Sequence, residues 1–177
     1  MLYSFDGKQP EIGKDTYVSE QAIVIGDVKI EDNCYIGHGV VLRGDYGRIE
    51  IGSGTAVEEG VIVHAPPKGT CKIGKKVTIG HGALVHAAEV GDLAVLGMGS
   101  VTSLHSVIGT KTIVAEGAVV KMDQIVPEKI VVAGNPADKV RDIKEKDTEL
   151  WTYAKQLYID LAKKYLDIGM HLIPTDK

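Results

Sequence analysis

Large aromatic rings are scarce: the 177 residues include one Phe and one Trp. Small and β-branched aliphatics must therefore supply most of any core. Cysteine is nearly absent too. Cys34 and Cys71 lie far apart and form no CxxC pair, so reduced thiols are expected rather than a disulfide framework. No apolar run approaches the ~20 residues of a membrane span. The opening MLYSFDGKQP lacks the charged-then-apolar pattern of a secretory signal. A cytoplasmic protein with no membrane partner is expected. A large excess of charge of either sign is also missing. The net charge is −4 and the pI near 5.9, which speaks against nucleic acid as a partner.

What is abundant is Gly, at 21 residues, set among Val and Ile. This composition suggests many short strands and tight corners. An aliphatic residue recurs every six positions through Ile12, Val18, Val24, Ile30, Ile36 and Leu42. The phase slips by three and resumes at Ile51, Val57 and Val63. It slips again across Ala65–Lys72 and resumes at Ile73, Ile79 and Val85. A one-residue deletion leads to Val90, Leu96, Thr102, Ile108, Val114, Val120, Val126 and Val132, where only Thr102 is not aliphatic. A period of six fits neither a helix nor a two-sided sheet. It fits a mainly β solenoid with three flat sides, one hexad per side, in which the aliphatic residue points inward and stacks on its equivalents. Gly, Asn and Asp are expected at the corners.

The solenoid is expected to fill residues 1–137, ending near Gly134-Asn135-Pro136-Ala137. Residues 138–177 change character. Val140, Ile143, Leu150, Ala154, Leu157, Leu161 and Tyr165 recur mostly at helical steps, with a wider gap at Asp147, and predict an amphipathic C-terminal α-helix. Thr148 is a candidate cap for its second half and Gly169 for its end. The helix is expected to pack along one side of the solenoid, making a single domain.

Register singles out three of the six histidines. Leu42, Val63 and Val85 fall on one side of successive coils, so Arg43, His64 and His86, which follow them, should form an outward ladder with about 4.8 Å per step. Two imidazoles at that spacing can share one metal ion, with Zn–N distances of ~2.0–2.1 Å. His81 lies on the preceding side near a corner, out of reach of that pair. A trimer with parallel axes would bring it to the pair of the next chain, so that the site exists only in the oligomer. His38, in a Gly-His-Gly context like that of His81, has no expected ladder partner, and neither do His105 and His171.

Arg43-Gly44-Asp45, His64 and the run Ile79-Gly80-His81-Gly82-Ala83-Leu84-Val85-His86 resemble the γ-class carbonic anhydrases and their hexapeptide-repeat relatives. The resemblance covers nearly the whole chain and implies a left-handed parallel β-helix, against the general right-handed crossover rule. It also implies a homotrimer with metal sites at its subunit interfaces. The implied ligands are His64, His81 and His86, holding zinc, with iron or cobalt also accepted by imidazole. By the same resemblance Arg43 and Asp45 tie subunits together near the site, and Tyr158 lies beside it.

A three-histidine zinc site leaves a position for water, which metal binding acidifies for attack on CO2 to give bicarbonate. This chain departs from the family at Ala56-Val57-Glu58-Glu59, where Asn-x-Gln-Asp is usual, so Glu58 replaces a Gln that orients the water. A carboxylate about 4 Å from hydroxide costs ~4 kcal/mol at an effective dielectric of 20, or roughly three pKa units. Glu58 can be protonated and mimic Gln, act as general base, or bind the metal and close the site; the base role is slightly favoured. The Ala65–Lys72 insertion lacks a proton-shuttling acid, and Tyr46 replaces another. Cys71 is a further candidate to reach the metal. Two other functions compete with CO2 hydration. One is a hexapeptide acyltransferase using acyl-CoA; the other is a non-catalytic trimeric metal-binding scaffold.

Overall fold

The computed structural model describes residues 1–86 and 89–173; residues 174–177 of the expected tail lie outside them. The chain winds as a parallel β-helix, and all three expected inward ladders are present. On the first side Val18, Ile36, Val57, Ile79, Leu96, Val114 and Val132 pair in sequence. On the second, Val24, Leu42, Val63, Val85, Thr102 and Val120 do so. Ile12, Ile30, Ile51, Ile73, Val90, Ile108 and Val126 form the third. Apart from Ile12 and Val18 at the start, all are buried, Thr102 included. The three-residue slip after Leu42 is absorbed within one long strand, Val41–Ile51, which runs from the second side onto the third.

A second inward row lies two positions before the first. It holds Thr16, Cys34, Thr55, Val77, Ala94 and Thr112 on one side and Ala22, Val40, Val61, Ala83, Ser100 and Ala118 on the next, all buried. Mostly small side chains fit here because the coil narrows toward its corners. The buried threonines bind the corners to each other. Thr55, for example, donates to the Gly74 carbonyl (2.8 Å) and accepts from the Val77 amide (3.1 Å). Cys71 sits in this interior, paired in register with Ile49, and does not face the histidines.

Most corners take positive φ, and two kinds of corner do so differently. Where the first side turns into the second, glycine takes it from Gly39 onward, as at Gly82 (φ +67°), whereas the earliest such turn, through Gln21, has no glycine and no positive φ. Where the third side turns back into the first, Lys76, Leu93, Lys111 and Lys129 take φ of 49–62°, an uncommon setting for side chains with a Cβ.

Each side presents a distinct outer surface, set by the residue preceding each inward aliphatic. The first side carries Tyr17, Tyr35, Ala56, Thr78, Val95 and Ile113 and is covered by the terminal helix, Glu145–Ile168. The second carries Ile23, Val41, Ile62, Leu84, Val101 and Val119. Down the third run Glu11, Lys29, Glu50, Lys72 and Glu89, alternating in sign.

The terminal segment differs from expectation in three respects. Val140 belongs to a strand, Asp138–Asp142, that pairs antiparallel with Ile130–Ala133, so the sheet continues past Ala137. The helix is unbroken at Thr148, and the gap at Asp147 marks its N-terminus: Asp147 accepts from the Lys144 amide (2.9 Å) and is clasped by Arg141. The packed face runs through Trp151, Lys155, Tyr158, Ala162 and Tyr165, while Leu150 and Leu157 are exposed. Polar Lys155 occupies what the apolar pattern assigned to leucines. Gly169 ends the helix, its amide bonded to the Tyr165 carbonyl. No helix among the described residues is long and apolar enough to cross a membrane.

Candidate functional site

The ladder Arg43–His64–His86 is in register on the second side. The two imidazoles stack 5.0 Å apart between centroids and 18° from parallel. The His64 pKa lies below the ordinary histidine value. Burial lowers its pKa first, the Arg43 and His86 charges lower it further, and Asp45 only partly opposes them. Among the described residues its buried Nε2 has no hydrogen-bond partner; Asp45 Oδ1, at 3.7 Å, is too far. A buried ring nitrogen left unsatisfied next to a parallel second imidazole suits a divalent ion that prefers nitrogen. Arg43 meanwhile grips Asp45 at 2.8 Å, and the Tyr46 amide donates to the other oxygen at 2.9 Å. Burial raises the Asp45 pKa, but the Arg43 hydrogen bond and charge bring it below the usual range. Tyr46 is exposed.

His81 stands apart from this pair, as its register requires. Among the described residues no three His, Cys, Asp or Glu side chains converge to hold a metal within one chain. His81 is instead set between two carboxylates on the Gly-lined corner, with Nε2 3.1 Å from Glu58 and Nδ1 2.8 Å from Glu59. Its ring is half exposed, and a Cβ added at neighbouring Gly82 would meet only open space. The corner is thus bare, and another chain can approach its backbone closely.

Glu58 follows Ala56–Val57 and is almost fully buried. It accepts from the His81 amide (3.2 Å) and from the Tyr158 hydroxyl. Desolvation raises its pKa, outweighing the Tyr158 hydrogen bond and the His81 charge. The proton is therefore held more tightly than by an ordinary glutamate. Tyr158 itself is raised by burial and by the Glu58 charge, so it remains a donor. Glu59 goes the other way: burial raises it, but a 2.7 Å hydrogen bond from Tyr35 and the nearby His81 and His38 charges lower it overall. Two adjacent carboxyls are thus pushed apart, one toward the acid and one toward the anion.

His38 is not isolated. The register that pairs Ile36 with Val57 and Val57 with Ile79 places His38, Glu59 and His81 on successive rungs of one corner. Its ring also contacts Ser19 Oγ (2.6 Å) and the Tyr165 hydroxyl (3.4 Å). Counting two residues past each inward aliphatic would have revealed this column. Lys155 was missed as well, and nothing in a helical hydrophobic pattern could have pointed to it. Its Nζ is buried against Thr78 Oγ1 and the Ala94 carbonyl, at 3.1 Å each.

The bacterial transferase hexapeptide family (six repeats) matches residues 9–44. Over 92% of its length the chain is 35% identical to γ carbonic anhydrase 2, mitochondrial, of Arabidopsis thaliana, and it spans 60% of that relative's length. It is 33% identical to the carnitine operon protein CaiE of Proteus sp. (strain LE138), across 91% of this chain and 82% of that one. A crystallised hexapeptide transferase family protein from Anaplasma phagocytophilum is 34% identical and superposes with a TM-score of 0.89, covering 93% of this chain and 98% of the other.

Proposed function

Since the chain belongs to the γ-carbonic-anhydrase-like family of left-handed hexapeptide-repeat β-helices, which also includes CaiE, we propose that it is a trimeric metalloprotein that hydrates CO2. The observation that carries this reading is the stacked His64–His86 pair with its orphaned Nε2. His81 of a neighbouring chain completes the donor set. Two features support the assembly. The outward apolar column Ile23–Val41–Ile62–Leu84–Val101–Val119 runs beside the ladder and needs a cover. The bare corner at Gly82 lets a second backbone come close.

Zinc, when bound, supplies an acidified water for addition to CO2. The chain's own groups do the rest. Glu59 accepts from His81 Nδ1 and so fixes the tautomer that leaves Nε2 able to ligate. Glu58, facing Nε2 of the same ring, takes the water's proton and holds it at its raised carboxyl. Tyr158 keeps the Glu58 oxygen in place. Arg43 and Asp45 hold each other at the edge of the ladder and present a charged pair to the neighbouring chain.

Metal analysis and stopped-flow CO2 hydration test the proposal on protein purified without oxygen or chelator. One metal ion per chain with measurable hydration is expected. His81→Ala should strip the metal and leave the solenoid folded; full occupancy in that variant would remove His81 from the site. Glu58→Gln should lower hydration if the carboxyl is a base and raise it if the carboxylate suppresses the reaction. An acyl-CoA-dependent transferase draws support from the likeness to the Anaplasma protein, and a metal-free chain active on acyl-CoA would favour it. Metal without hydration would favour a scaffold.

A further inference from the structure

Lys155 plays no part in the chemistry above, yet it is the most deeply buried cation in the described chain, 4% exposed. It reaches from the helix to the wall of the solenoid, where its two hydrogen-bond acceptors are Thr78 Oγ1 and the Ala94 carbonyl. Two acceptors match the two N–H bonds of a neutral amine, and the Trp151 ring lies 5.6 Å from Nζ. The residue also lines a cavity of about 40 Å³ between helix and wall, together with Leu93, Val95, Ile113, Trp151 and Lys111. That space exceeds the ~10–15 Å³ one water needs and admits a small molecule of a few heavy atoms. We propose that Lys155 is a carbamylation site, at which the side-chain nitrogen reversibly adds carbon dioxide within this cavity.

The step balances without an oxidant or reductant. The amine lone pair forms an N–C bond as one C–O π bond opens onto oxygen, and the nitrogen releases one proton to solvent base. The product is a carbamate anion. Its remaining N–H can keep the Ala94 carbonyl, and the Thr78 hydroxyl can turn to donate to the new carboxylate. The charged groups around it are few. Glu58 faces it from the first side, Asp147 lies on its own helix already clasped by Arg141, and Lys111 supplies a cation on the cavity wall. Burial lowers the Lys155 pKa to about 7, against the pull of Glu58, so a large share of the amine is reactive at neutral pH. Exposed lysines near 10.4 are almost wholly protonated there.

The test is chemical trapping. Protein equilibrated with ¹³C-bicarbonate is alkylated with a trialkyloxonium salt, digested and analysed by mass spectrometry, with ¹³C NMR before trapping. A labelled adduct on Lys155 is expected, absent in Lys155→Met, and its yield should rise about tenfold between pH 6 and pH 8. Because the unsubstituted protein reports first, a variant that fails to fold does not obscure the result. An unlabelled Lys155 in folded protein, or label spread evenly over surface lysines, overturns the proposal. The readout is an adduct mass, so it stands apart from metal content and from CO2 hydration.

Discussion

On the second side of the solenoid the outward residue of each rung is Ile23, Val41, Ile62, Leu84, Val101 or Val119. On the third side the same position reads Glu11, Lys29, Glu50, Lys72 and Glu89 before turning apolar at Val107 and Ile125. The two sides share a period and an inward row of aliphatics. Their difference therefore owes nothing to what folds the coil. Alternating charges suit a face that stays in water, because opposite charges on neighbouring rungs attract modestly and like charges are kept two rungs apart. A column of β-branched and aliphatic residues in water contributes nothing comparable, and Ile62 and Leu84 are 44% and 40% exposed in the single chain. The paired histidines lie on that apolar side and not on the charged one. The inward residue specifies the fold, and the outward residue specifies what the fold meets.

The largest expected effect comes from making the apolar side resemble the charged one. If the proposed trimer forms, Ile62→Arg with Leu84→Arg should convert it to single chains and lower metal affinity at least a hundredfold, because His81 would no longer arrive from a neighbour. Sedimentation velocity and metal titration measure both. The control, Val107→Arg on the third side, should change neither. If both variants assemble alike, the comparison between the sides has no bearing on association.

The first side offers the next test, since its cover is the helix and its least expected contact is Lys155. The folded pKa of about 7 lies below the unfolded value near 10.4, so between those limits the unfolded chain binds more protons. Stability contributed by this residue therefore rises as pH increases from about 7 to about 10, on the order of 4 kcal/mol in all. Lys155→Met should remove that part of the slope and be the more stable protein at pH 7. Urea denaturation of both chains in CO2-free buffer at pH 7 and pH 10 decides it; parallel slopes would place the amine in contact with water.

These results bear on how much was legible beforehand. The three ladders could be counted because an inward aliphatic is required at every sixth position and packing tolerates little else there. The His64–His86 pairing followed from the same count, with no knowledge of side-chain contacts. The terminal helix was harder to read. It lies on a wall built of Tyr17, Tyr35 and Thr78, so its contact face uses Tyr165, stacked on Tyr17 at 4.6 Å, and a lysine, rather than Leu150 and Leu157. Such complementarity is tertiary, and a periodic pattern cannot reveal it. His38 escaped because its column alternates His, Glu and His, which looks like chance until the rungs are aligned.

Within the second side Thr102 interrupts the aliphatic ladder, and among the described residues its buried hydroxyl has no hydrogen-bond partner. Thr102→Val keeps the shape and removes an unsatisfied group. A gain of about 1–2 kcal/mol in unfolding free energy is expected. No gain would mean that the hydroxyl is solvated or bonded in solution, and that the ladder is less uniform than the register implies.

The smallest effect belongs to the charged side. Glu50→Lys would insert a third ammonium between those of Lys29 and Lys72 on successive rungs and deprive Arg48 of a 2.7 Å partner. Like charges directly across a ladder are unfavourable, but these side chains are partly exposed and water screens them. The loss should stay below about 1 kcal/mol at low salt. It should shrink further in 1 M NaCl, where the screening length falls to about 3 Å. Assembly and metal content should be unaffected if, as its alternating charges suggest, this face stays in water. A salt-independent loss, or dissociation, would mean that the charged column touches another chain, and the contrast between the two sides would then have to be drawn elsewhere on the solenoid.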